Sequence, residues 1–102
     1  MTTLHTVNKS PFASRNLGSC LKHVRDGDAI LMIEDGVYGA TGGTAMSAQV
    51  EAVARKASVY ALGPDLQARG IDAARLCAGV TVTDYAGFVE LAAQHDVTNA
   101  WL

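Results

Sequence analysis

Residues 28–36, DAILMIEDG, constrain this chain more than any other stretch, because positions 29–33 are aliphatic without a break. A strand with one face in water alternates apolar and polar side chains. A strand apolar at every position must be covered on both faces, as in the middle of a parallel sheet. Parallel neighbours are joined by crossover helices, which lie on the sheet faces, so this one run predicts a layered α/β fold.

The flanking sequence supplies the other elements. TLHTVN near the start has the β-formers of a first strand, and KSPF punctuates its end. In SRNLGSCLKHVRDGD, Leu17, Cys20, Leu21 and Val24 fall at i, i+3, i+4 and i+7, one face of a helix ending near Gly27. After the central strand, GATGGT reads as a flexible glycine-rich connection. AMSAQVEAVARKA then reads as a helix with Met46, Val50, Val53 and Ala54 inward, and SVYAL as a strand. GPDLQARGI carries helix start and stop signals in Pro64 and Gly70, and VTVTDY is a further strand. AGFVELAAQHD places Phe88, Leu91, Ala92 and His95 on one helical stripe, and VTNAWL closes as an edge strand or docked tail. The expectation is a single domain over residues 1–102: a small Rossmann-like three-layer fold with a mostly parallel sheet of four or five strands.

Charge narrows the classes of partner. The net charge of -2 is wrong for a general nucleic-acid binder, which neutralises phosphates with clustered Lys and Arg. The distribution is uneven, however. Lys9, Arg15, Lys22 and Arg25 all lie in residues 1–25 with no acid among them, whereas all 10 acids lie beyond. That segment is either a solvated helix face or a contact surface for an acidic partner. The longest aliphatic run is far too short to cross a bilayer, and MTTLHTVNKS lacks the apolar centre of a signal peptide, so the expected location is the cytoplasm.

Candidate chemistry is sparse. His5, His23 and His95 are scattered, and neither cysteine belongs to a CxxC pair, so no metal-ligand spacing is present and no metal is expected. GATGGT lacks the GxGxxG and GxxxxGK[ST] patterns that hold phosphates, so no nucleotide or flavin cofactor is expected either. Glu34 and Asp35 sit where an acid/base pair could work, at a strand's carboxyl end, but adjacent strand residues point to opposite faces. His5 and His95 read as satisfied core or boundary histidines. Cys20 and Cys77 read as free thiols. Cys20 has His23 at i+3, a spacing that brings helix side chains together and could stabilise a thiolate. It also lies on the apolar stripe between Leu17 and Leu21, where a cysteine packs as a small hydrophobe. Cys77 has Arg75 nearby but no histidine, and packing is its expected role.

Four stretches taken in order carry a resemblance over nearly the whole chain. They are LHTVNKSPF at 4–12, RDGDAILMIEDGVYGA at 25–40, VYALGPDLQARGI at 59–71 and VTVTDYAGFVELAAQHDVTNAW at 80–101. Together they resemble the TusB/DsrH family of small sulfur-relay subunits. The resemblance implies a DsrE-like fold assembled with DsrE-like and DsrF-like subunits into a dimer of heterotrimers. It also implies a DsrC-like sulfur-carrier protein as a further partner. In such assemblies sulfur passes as a cysteine persulfide, and the established active cysteine belongs to the DsrE-type subunit. Members of the tRNA-thiolation branch commonly lack a cysteine where this chain has Cys20 and often have a histidine where it has Asn8. The resemblance is therefore nearer the DsrH type of dissimilatory sulfur oxidation. It makes Cys20 a candidate persulfide carrier, auxiliary to the partner's cysteine, with His23 beside it.

Overall fold

In the computed structural model, which describes residues 1–102, strand β2 (Ala29–Met32) has every side chain buried. It is the third of five strands in a sheet ordered β4-β3-β2-β1-β5, where β1 is Thr3–Val7, β3 Ser58–Leu62, β4 Val80–Thr83 and β5 Val97–Trp101. All four pairings are parallel. The aliphatic run thus takes the place it predicted, and the closing segment takes the first of its two expected forms, an edge strand.

Helix placement follows from handedness. The chain steps from β1 through β4 in one direction across the sheet and then returns past three strands to β5. Right-handed crossovers put the first helices on one face and the last on the other. Helices α1 (Asn16–His23), α2 (Ser47–Ala54) and α3 (Gly63–Ala68) accordingly share a 16-residue core with Val7, Ile30, Met32, Val59 and Ala61. Helix α4 (Tyr85–Gln94) covers the opposite face, setting Leu91 with Leu4, Ala29 and Leu31, and Phe88 and Ala92 beside them.

Local signals explain the helix ends. Pro64 opens α3, and Gly70, in the left-handed region at φ 66°, closes it with an Ile71 N–H to Leu66 carbonyl bond of 2.9 Å. Asp84 caps α4 by accepting from the Gly87 N–H at 2.8 Å. Helix α1 stops at His23, earlier than expected, because Val24 is already extended; Gly27 instead forms the tight turn into β2.

The end of the β2 segment and the glycine-rich connection GATGGT at 39–44 that follows it both depart from expectation. Residues Glu34–Ala40 form a 3-10 helix rather than a strand end and loop. Gly36 is packed directly against the Val7 carbonyl and Gly39 against Leu17, so these glycines permit close backbone approach. Beyond them, Thr41 bridges to Leu76, Gly42 donates to the Arg75 carbonyl at 2.7 Å, and Cys77 donates to the Ala40 carbonyl at 2.7 Å. The connection is tied down along its length.

Candidate functional site

Helix α1 carries both residues that the sequence nominates, and gives one to the core and the other to solvent. Leu17, Cys20 and Leu21 point into the core, and Cys20 has no solvent exposure at all. Burial, reinforced by the negative charge of Asp28, pushes the Cys20 thiol up to about 12. At neutral pH the protonated thiol is therefore favoured more strongly than in an ordinary cysteine. His23 lies on the outside of the same helix. Its Nδ1 donates to the Ser19 carbonyl at 2.7 Å, and its ring sits 5.5 Å from that of Trp101. No hydrogen bond joins Cys20 to His23. The i+3 spacing places them on one side of the helix, but the core takes one side chain and solvent the other.

The polar centre beside α1 is instead built by residues that the sequence patterns did not bring together. His5, buried within β1, has both ring nitrogens engaged. The Trp101 indole N–H reaches Nδ1 at 3.1 Å, and Nε2 lies 3.1 Å from Oδ2 of Asp28. An indole nitrogen can only donate, so His5 Nδ1 accepts and the ring proton sits on Nε2, facing the carboxylate. Asp28 also accepts from the backbone N–H groups of Thr3 at 2.9 Å and Arg25 at 3.0 Å. Burial pushes its carboxyl up, but the Arg25 and Thr3 N–H groups, together with His5, outweigh that and hold it below the usual value. Parallel pairing sets Trp101 opposite Val7, on the sheet face that His5 also uses. Periodicity within single segments carries no signal of that long-range register.

These residues, with His23 and Arg25, line an open cavity of about 460 Å³ at the amino-terminal ends of β1, β2 and β5. Its saturated His5 cannot act as a free base. His23 is exposed, and with Nδ1 bonded to the Ser19 carbonyl its Nε2 has no hydrogen-bond partner within the chain.

The strands' carboxyl ends, where α/β sheets gather function, hold a second cleft between β3 and β4. It measures about 510 Å³ and is lined by Gly63, Pro64, Gln67, Val82, Thr83 and Asp84. It lies where α3 and α4 leave toward opposite faces, but its one carboxylate is committed to the α4 cap. Glu34 and Asp35 form no dyad. Asp35 pairs with Arg69 at 2.9 Å, and the Glu34 N–H donates to Asp65 at 2.6 Å. Cys77 is buried, its thiol 3.4 Å from the Thr41 carbonyl. Its ionisation is raised chiefly by burial, with a smaller opposing hydrogen bond from Ser47. No three His, Cys, Asp or Glu side chains gather where they could hold a metal ion.

Comparison with known proteins gives the family. The family model described as "DsrH like protein" matches residues 9–98. Protein TusB of Pectobacterium parmentieri is 35% identical over 98 residues, covering 96% of this chain and 99% of that protein. Protein TusB of Erwinia tasmaniensis is 36% identical over 99 residues with the same coverage, and its counterpart from Escherichia coli O1:K1 is 34% identical over 98. Among solved structures, the ychN protein from E. coli superposes with a TM-score of 0.82 over 98% of this chain and 99% of that one, at 16% identity. That likeness shows the fold alone. With full-length relatives above a third identical and a family model spanning nearly all of it, the chain belongs to the DsrH/TusB family.

Proposed function

We propose that this chain is a scaffold and docking subunit of a cytoplasmic persulfide sulfurtransferase, assembled with DsrE-like and DsrF-like subunits as a dimer of heterotrimers and served by a DsrC-like carrier. The observation that carries this reading is the state of Cys20. A sulfur relay needs an exposed thiolate that attacks a sulfur already bound to another cysteine, and here the thiol is wholly enclosed, with burial opposing its ionisation. The transferring cysteine then belongs to a partner subunit. Cys20 acts as an auxiliary persulfide acceptor only if assembly opens α1, and His23 stabilises its thiolate only in that opened state.

Cys20 and Asn8 favour dissimilatory sulfur oxidation over tRNA 2-thiouridine synthesis, because the resemblance there is nearer the DsrH type. The second reading, a TusB-like tRNA role, is favoured by the names of the curated relatives.

Co-expression with the two partner subunits tests the reading. A stable hexamer should transfer sulfur from a persulfidated donor at the same rate with Cys20→Ala as with the native chain. Mass spectrometry should find no persulfide on Cys20. A persulfide there that turns over, or transfer lost in Cys20→Ala with assembly intact, would overturn the scaffold role. A chain that stays monomeric beside both partners would remove the relay assignment.

A further inference from the structure

Helix α1 has a second face with the same periodicity as its buried one. Arg15 just before the helix, then Gly18, Ser19 and Lys22, stand at i, i+3, i+4 and i+7, and all four line one groove of about 330 Å³. Pro11 and Ser14 close it from the β1–α1 loop, and Met46 and Gln49 from the side of α2. No acidic residue lines it. Of the chain's eight Lys and Arg, only Arg69 forms an ion pair, so Arg15 and Lys22 face the groove uncompensated. The groove is open at Gly18, where an added Cβ would meet nothing within 4 Å. A glycine inside a helix costs stability, and no packing within the chain calls for this one.

We propose that this groove seats an acidic, extended segment of a partner protein. Two cations seven positions apart on a helix are separated by about 10 Å along its axis. Carboxylates three residues apart on one side of a polyproline-type chain are separated by about 9 Å. Such a segment would set one carboxylate on Arg15 and the next on Lys22. One of the two intervening residues would lie over Gly18 against Met46, with Ser19 and Gln49 available to its backbone. Nucleic acid fits less well, since two cations on a chain of net charge -2 neutralise few phosphates. The inference stands on the groove alone and is independent of sulfur transfer.

The test uses the full chain, labelled with ¹⁵N, at low ionic strength. The probe is the peptide acetyl-Glu-Ala-Pro-Glu-Ala-Pro-Glu-amide. Saturable shifts are expected at the amides of Gly18, Ser19, Lys22 and Gln49. Affinity should fall about tenfold in the double variant Arg15→Gln, Lys22→Gln, or on raising salt to about 0.3 M. Arg55→Gln with Lys56→Gln should leave it within about twofold. Both cation pairs are exposed, so the variants should keep the native spectrum elsewhere. Absence of saturable shifts, equal binding of the all-glutamine peptide, or indifference to loss of Arg15 and Lys22 would overturn the proposal. Inorganic phosphate moving the same amides as strongly would make the groove a free-anion site. Tighter binding of a uridine oligonucleotide would make it an RNA surface. Either result also overturns it.

Discussion

The Trp101 indole donates to Nδ1 of His5 at 3.1 Å, tying edge strand β5 to β1 across 96 positions of sequence. The bond fixes the His5 tautomer, and so also fixes which nitrogen faces Asp28. Trp101→Phe keeps an aromatic ring but leaves a buried acceptor without its donor, so the fold should lose about 1–2 kcal/mol. Urea denaturation followed by far-UV circular dichroism measures this, since the variant has no tryptophan left to report. A loss of only a few tenths would mean that the indole bond contributes nothing net.

Asp28 should make the protein acid-sensitive. Its folded carboxyl titrates below the unfolded value, which lies near about 3.9. The folded state therefore binds fewer protons in that range, and the stabilisation is complete above the unfolded value and lost as pH falls through the folded one. Asp28→Asn should cost about 2 kcal/mol at pH 7 and progressively less toward pH 3. Parallel pH profiles of the two proteins would refute this assignment.

Cys20 gives the opposite sign at the alkaline end. Its folded thiol is pushed up to about 12, whereas the unfolded thiol ionises near about 8.5. Its stabilising contribution is thus full below the unfolded value and drains away as pH rises toward the folded one. Cys20→Ala should lose about 1 kcal/mol of packing at pH 7, yet decline less steeply than the native chain between about pH 8.5 and 10. Alkylation of the isolated native chain at pH 7.5 should be limited by opening of the fold and be far slower than in the urea-unfolded chain. Fast labelling of Cys20 in that chain would contradict its burial.

What the sequence made legible and what it hid divide along a physical line. The unbroken run at 29–33, the 17/20/21/24 stripe of α1 and the Pro64 and Gly70 signals of α3 are local patterns, and local geometry follows them. The glycine-rich connection looked flexible because its composition cannot reveal that Gly39 presses on Leu17 or that Gly42 donates to the Arg75 carbonyl. The His5, Asp28 and Trp101 centre depends on the parallel register between β1 and β5. The basic character of residues 1–25 was visible, but only the packing of α1 beside α2 places Arg15 and Lys22 along one groove.

Gly18 and Gly36 should respond oppositely to the same substitution. Gly18 lies inside α1 with open space where a methyl would go, and its φ is not in the left-handed region. Gly18→Ala relieves a backbone entropy cost without a clash and should stabilise the chain by about 0.5–1 kcal/mol. A Cβ at Gly36 would instead be driven into the Val7 carbonyl, a backbone atom at the end of β1 that cannot swing aside. Gly36→Ala should therefore cost about 2 kcal/mol or more, by forcing the 3-10 segment away from the strand. Thermal melts of the two variants against the native chain decide the matter. A destabilised Gly18→Ala would show that the groove floor is already occupied, and a neutral Gly36→Ala that the 3-10 segment yields freely.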